Sequence, residues 1–213
     1  MASHSFPRHF AGLAFAVFGI AFACAAQARD AGELPKLAAA APAPAAQGQA
    51  PDVRRFDQEW FDAARAGRVD ILKALLDAHF PVDAKTGQGY TALILAAYNH
   101  QPQAVDFLLP GADACLGDRN GNTALMGVLF KGYDEVAHRL LQTNCKVDQA
   151  NNAGETALSF AALFGRVNLL PELVARGANP NHVDARGGTA LTMARLQGNS
   201  EVVDALRKAG ATR

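Results

Sequence analysis

Residues 155–191 read ETALSFAALFGRVNLLPELVARGANPNHVDARGGTAL, and this stretch decides the fold. Thr156 stands in front of the apolar run Ala157–Phe164, and Gly165 closes it. A glycine just past a helix end takes up the left-handed cap without a Cβ penalty. The spacing predicts one helix over 157–164 and a second over 167–175. In the second, Val167, Leu169, Leu170, Leu173 and Val174 keep one dominant apolar face. Pro171 is tolerable there only near the first turn. Gly177-Ala178-Asn179-Pro180-Asn181 breaks the helix, and Asp184 to Gly188 is turn chemistry that permits positive φ at its tip. Thr189 then starts the cycle again. Helix, turn, helix and extended hairpin make one layer, which cannot bury its own apolar face.

The same unit recurs on both sides. Thr-Ala-Leu occurs at Thr91, Thr123, Thr156 and Thr189, at intervals of 32, 33 and 33. Nine residues after each threonine come His100, Gly132, Gly165 and Gly198, and Gly67 lies a further 33 upstream of His100. A third marker follows each second helix: Pro110-Gly-Ala-Asp-Ala, Asn144-Cys-Lys-Val-Asp, Arg176-Gly-Ala-Asn-Pro-Asn and finally Lys208-Ala-Gly-Ala. Three markers in one register are the mark of stacked structural repeats. The register gives about five layers, over 52–84, 85–117, 118–150, 151–183 and 184–213.

The pattern T-A-L-x-x-A-A-x-x-G, then L-L-x-x-G-A-D-x-N and D-x-x-G-x-T, resembles the ankyrin repeat family across Asp52–Arg213. The resemblance implies an all-α solenoid of about five repeats, each a helix-turn-helix with a hairpin loop. Alanine replaces the family's proline after every threonine. Ile94, Met126, Ser159 and Thr192 replace its histidine, so the histidine's hydrogen bonds between layers are lost. The first unit lacks Thr-Ala-Leu and opens on Asp57-Gln58-Glu59, while the last stops at Gly210-Ala211. Both suit end layers, which have one face in water.

The N-terminus has a different character. Met1–Phe10 carries Arg8 and two histidines but no acid, Phe10–Ala26 has no charge, and Ala26-Gln27-Ala28 follows. This is the three-part pattern of a secretory signal peptide over 1–28. Retention as a membrane anchor and lipidation at Cys24 are the alternatives: the apolar run is at the short limit for a span, and Ala21-Phe22-Ala23 is a poor lipobox. Residues 29–51 are rich in alanine and proline, with no aromatic or β-branched residue after Ala31. Such a segment cannot offset the entropy of ordering and reads as a disordered linker. Cleavage implies export. Arg outnumbers Lys 14 to 6, which suggests a GC-rich bacterial genome, hence a periplasm; an inner-membrane anchored chain is the alternative.

Composition and phase narrow the chemistry. The 213 residues hold 20 basic and 20 acidic side chains. Loss of Arg8 with residues 1–28 leaves a net charge of −1. A nucleic-acid binder needs a basic excess. His79, His100, His138 and His182 stand at four different phases of the repeat, which argues against a metal site. Ser159 falls on the core side of its helix, and Ser200 is placed to cap the last one; neither has a histidine in matching phase for nucleophilic catalysis. Asp118 and Asp184 fall at equivalent turn positions and read as structural. No enzymatic activity, cofactor or small-molecule substrate is expected. Cys115 and Cys145 lie in adjacent layers. Helices stack about 10 Å apart and a disulfide needs Cα atoms within about 7 Å, so a bond stays open, with two separate core-edge thiols the favoured reading.

In the family the resemblance names, partners bind a concave face made by hairpin tips and first helices. The corresponding positions here are Tyr98, Phe130 and Leu163, then Asn99, Lys131, Phe164 and Gln197, with Tyr90, Asn122 and Glu155 before the threonines. Tyr90, Tyr98, Phe130, Leu163 and Phe164 would line the middle, and Asn99, Lys131, Asn122, Glu155 and Gln197 would form a polar rim, as at an interface centre. The alternative is that some of these rings pack on neighbouring hairpins or the linker. The resemblance implies a monomeric protein-binding module, supporting an oxidative-stress enzyme such as a catalase. An immunity protein against a toxic effector and an envelope scaffold are the alternatives.

Overall fold

A computed structural model describes residues 53–212 of the chain. The signal segment 1–28 and the linker 29–51 lie outside the described residues. A 3-10 turn, Val53–Phe56, leads into five helix pairs. They are α1 (Asp57–Ala66) with α2 (Val69–Asp77), α3 (Ala92–Tyr98) with α4 (Pro102–Leu108), α5 (Ala124–Lys131) with α6 (Asp134–Leu141), α7 (Ala157–Leu163) with α8 (Leu170–Ala175), and α9 (Ala190–Leu196) with α10 (Ser200–Lys208). First helices pack on first helices, α1 on α3, α3 on α5, α5 on α7 and α7 on α9, and each also packs on its own second helix. The fold is therefore an all-helical stack of paired layers.

The first helices are the spine. Every residue of α3 from Ala92 to Ala97 is buried, as are Ala157 to Ala162 in α7. A helix that is apolar all round must be covered all round. Alanines at Ala96, Ala97, Ala161 and Ala162 let the neighbouring helices approach, while Leu93, Leu129, Leu158, Phe160 and Leu191 fill the space between them. The second helices are amphipathic: Val136, Ala137, Leu140 and Leu141 of α6 are buried, and Glu135 and His138 are exposed.

The markers have physical jobs. The Oγ1 of Thr91, Thr123, Thr156 and Thr189 accepts the N–H of the third helical residue: Ile94, Met126, Ser159 and Thr192. Such a cap satisfies a donor that has no partner inside the helix. In the last two layers the hydroxyl of that third residue answers, with Thr156 N–H donating to Ser159 and Thr189 N–H to Thr192. At the other end, Gly67, Gly132, Gly165 and Gly198 all have φ between 68° and 81°. His100 stands at the same point with φ 55°.

Four local expectations change. Helix α7 ends at Leu163, with Phe164 as its cap. The second helix of that layer is a 3-10 turn, Val167–Leu169, followed by α8. Pro171 has no N–H to give to the carbonyl four residues back, so α-type bonding starts only after it. The hairpins are tight turns, with one antiparallel bridge, Gly117 to Thr123, among the described residues. Ser200 opens α10 but does not cap it: the Asn199 side chain accepts the Val202 N–H.

Candidate interaction surface

Helices α3, α5, α7 and α9 are each entered through a turn built around one side-chain oxygen. Asp118 Oδ1 accepts the N–H groups of Asn120 and Asn122, Asn151 Oδ1 those of Ala153 and Glu155, and Asp184 Oδ1 those of Arg186 and Gly188. In the second layer Thr86 Oγ1 takes the same place for Gln88 and Tyr90. Backbone bonds tie each tip to the next, Arg119 N–H to Gln88, Asn152 to Asn120 and Ala185 to Ala153. The carboxylates of Asp118 and Asp184 are buried and committed to these turns.

The loops behind the second helices carry another set of ties, eight residues before each threonine. Asp83 Oδ1 accepts the Asp113 N–H at 3.0 Å, Asp148 Oδ1 the Asn179 N–H at 2.8 Å, and Asn181 Oδ1 the Thr212 N–H at 2.8 Å. Between the second and third layers the equivalent residue is Cys115. It is joined to Cys145 by a disulfide, with Cα atoms 5.3 Å apart. The favoured reading of two separate thiols is thus corrected. Helix spacing does not govern loops, which approach closely enough for layer-to-layer hydrogen bonds, and here a covalent bond stands where the other layers have a carboxylate or amide. The repeat phase carries that signal, since Cys115 aligns with Asp83, Asp148 and Asn181.

At the C-terminal ends of the first helices the rings form a row across three layers. Tyr98 and Phe130 are stacked with centroids 6.3 Å apart, and Phe130 meets Phe164 edge to face at 4.9 Å. Phe164 also touches Phe160 beneath it. Lys131 Nζ lies 4.9 Å from the Tyr98 ring centre and 5.9 Å from that of Tyr133, and His100 stacks on Tyr133 at 4.2 Å. Tyr98, Phe130, Leu163 and Phe164 are each half-buried. Leu196 continues the row in the repeat phase at 73% exposure. Tyr90 is half-buried beside the row; burial first, then the charge of Asp118, pushes its phenol above the ordinary range.

The rim differs from expectation. Asn99, Lys131 and Gln197 are exposed, but Asn122 and Glu155 are 5% exposed. Asn151 Nδ2 donates to Asn122 Oδ1 and to Glu155 Oε2, both at 2.9 Å, which links two layers through a buried polar chain. A closed turn points the residue before the threonine inward, Asn122 to the Asn151 of the next turn and Glu155 to the Asn151 of its own. Asn122 and Glu155 are therefore structural.

Arg166 is a residue that phase analysis alone did not single out. Its guanidinium donates to the carbonyls of Leu129 at 2.7 Å and Phe130 at 2.8 Å, closing the C-terminus of α5 from the next layer. A cation there also meets the negative end of the helix dipole. The histidines have separate local roles. His138 pairs with Glu172 across layers and a His182 ring nitrogen lies 2.9 Å from the Gly154 carbonyl, while His79 takes φ 63° after α2. Asp113 Oδ, Cys115 Sγ and Cys145 Sγ lie within 4.8 Å of one another. The sulfurs are bonded to each other, and Asp113 accepts the Cys115 N–H, so the cluster is already used.

Residues 60–151 and 125–212 match the family described as Ankyrin repeats (3 copies). The chain belongs to the ankyrin repeat family. It is 34% identical over 160 residues to a mitochondrial disaggregase of Bos taurus, covering 71% of this chain and 22% of that protein. It is 30% identical over 164 residues to ankyrin repeat domain-containing protein 63 of Homo sapiens, covering 72% of this chain and 43% of that protein. A shorter match, 40% over 72 residues, is to the inactive serine/threonine-protein kinase TEX14 of Bos taurus, with 34% of this chain and 5% of that protein. The chain thus spans less than half the length of these relatives. Ankyrin repeat domains are typically non-catalytic, and their presence implies protein partners.

Proposed function

We propose that the chain is a non-enzymatic, monomeric protein-binding module exported to a bacterial periplasm, and that it holds its partner on the face formed by the first helices and the turns that enter them. The observation that carries this reading is the row Tyr98–Phe130–Phe164, held on rigid helices and continued by the exposed Leu196. A preorganised surface loses little conformational entropy on binding. The face suits a standard interface of about 800 Å² on one partner. Export is supported by the signal-like residues 1–28 and by the Cys115–Cys145 disulfide, a bond that persists in oxidising compartments. An oxidative-stress enzyme such as a catalase is the proposed partner, and a toxic effector the alternative.

The test is affinity capture from a periplasmic extract with quantitative mass spectrometry. Wild type is compared with Phe130→Ala/Phe164→Ala and with an outer-helix control, Glu135→Gln. The expected result is one protein lost at least tenfold by the ring variant and kept by the control, with circular dichroism showing both variants folded. Equal capture by all three would overturn the assignment of this face. Intact mass reads the export proposal: a mature chain starting at Arg29 supports it, and an uncleaved chain in the membrane fraction refutes it.

A further inference from the structure

The formal charge of the chain is zero, yet its charges are not spread evenly over the layers. In layers two to five, helices α3, α5, α7 and α9 contain no acidic residue. The turns that enter them hold three acids, Asp118, Glu155 and Asp184, and all three are buried and hydrogen-bonded. The cations of the same segments face water. Arg119 and Arg186 on the turns are exposed, as are Lys85 just before the first of them and Lys131 at the end of α5. Arg195, on α9, is also exposed, at the position where the other first helices bury Ala97, Leu129 and Ala162.

The second helices have the opposite balance. Asp106, Asp134, Glu135, Glu172, Glu201 and Asp204 all lie on α4, α6, α8 and α10. From the second layer on, the helices therefore keep their exposed carboxylates on the second-helix side; Glu59 and Asp62 of α1 are the exposed exceptions in the first layer. Those the other side needs for turn geometry are withdrawn into hydrogen bonds. What these turns and the end of α5 leave charged in water is cationic, and Lys131 lies over Tyr98 in the aromatic row itself.

Resting on the binding face proposed above, we infer that the partner is a protein that presents acidic side chains around an apolar centre. Its leucine or aromatic side chains meet Phe130, Phe164 and Leu196, and its carboxylates meet Lys85, Arg119, Lys131 and Arg186. Complementary charge at an interface raises the association rate and rejects like-charged competitors. A nucleic acid is the less suitable ligand: the cations are spaced singly around apolar rings, without the basic excess that phosphate neutralisation requires.

The test uses the mature chain and three fluorescein-labelled peptides of one length, alternating phenylalanine or leucine with glutamate, glutamine or lysine. A labelled single-stranded oligonucleotide is the fourth probe. Anisotropy is read at low and at high salt, with wild type, with Arg119→Glu/Lys131→Glu/Arg186→Glu and with Phe130→Ala/Phe164→Ala. The glutamate peptide should bind wild type at least tenfold more tightly than the glutamine peptide. Salt should narrow that gap, since these charges are solvent-exposed. The triple charge variant should prefer the lysine peptide.

Equal binding of the glutamate and glutamine peptides, both lost in the ring variant, would overturn the charge inference and leave the binding face intact. Binding indifferent to both variants would overturn the face as well. Tighter binding of the oligonucleotide, or no binding by any probe, would also refute the inference. Charge reversals at exposed positions leave the core untouched, so a folding defect does not confuse the result.

Discussion

Arg166 and Gly132 show how one residue's freedom serves another's contact. Gly132 has φ 81°, and a Cβ built on it would sit 2.7 Å from an Arg166 Nη atom. The glycine thus permits both the left-handed cap and the guanidinium that closes α5. Gly132→Ala is expected to cost about 1–3 kcal/mol through a strained backbone together with displacement of Arg166. Urea unfolding, read by fluorescence of Trp60, the only tryptophan and fully buried, measures it. An unchanged midpoint would show that neither constraint matters. Thr123→Ala, which removes a cap bond from the same helix, should cost about 1 kcal/mol in the same assay.

Residue-scale roles were partly legible in the sequence. Threonine before an apolar run and glycine nine residues on are local signals, because caps and positive φ are properties of the chain itself. Asn122 and Glu155 misled for a physical reason. Their direction is set by closure of a turn around Asp118 or Asn151 and by the neighbouring layer, and no local pattern distinguishes them from exposed polar residues.

At the scale of elements, what joins one layer to the next decides stability. Each loop behind a second helix uses a side chain to hold the following loop, and Cys115–Cys145 is the covalent version of that tie. Cys115→Ala/Cys145→Ala should lower the stability by about 2–4 kcal/mol. Cys115→Asp/Cys145→Ala should recover about 1 kcal/mol, because an aspartate there is placed to accept the Lys146 N–H as Asp83 accepts that of Asp113. Equal unfolding midpoints for the two variants would disprove the equivalence. The bond itself was left open by the sequence, since helix spacing overstates the gap between loops. The register of loops was nonetheless present in the repeat phase. The 3-10 start before α8 was signalled only by Pro171, whose missing N–H shifts where α-type bonding begins.

The whole molecule divides labour between its two sides. The first helices α3, α5 and α7 bury almost everything they have, and their C-terminal ends and entry turns reach water with rings and cations. The second helices carry exposed acids and layer-to-layer ion pairs such as Arg139–Asp106, which keep that side hydrated. Large buried side chains in the spine support every layer around them. Leu129→Ala, at a fully buried position, should cost about 2–5 kcal/mol. Leu196→Ala, 73% exposed, should leave the unfolding midpoint within about 0.5 kcal/mol while weakening partner binding. A loss from Leu196→Ala as large as that from Leu129→Ala would mean the row is a packing feature.

The period was readable at this scale because each layer repeats the same solution to burying an apolar face. The use of the exposed face was less so, since half-burial of rings and withdrawal of acids emerge only when layers are stacked. Amide hydrogen exchange of the chain with and without its captured partner tests the central claim most directly. Protection is expected over the ends of α5, α7 and α9 and the turns at 118–123, 151–156 and 184–189, with α4, α6 and α8 unchanged. Protection confined to the second helices would contradict it.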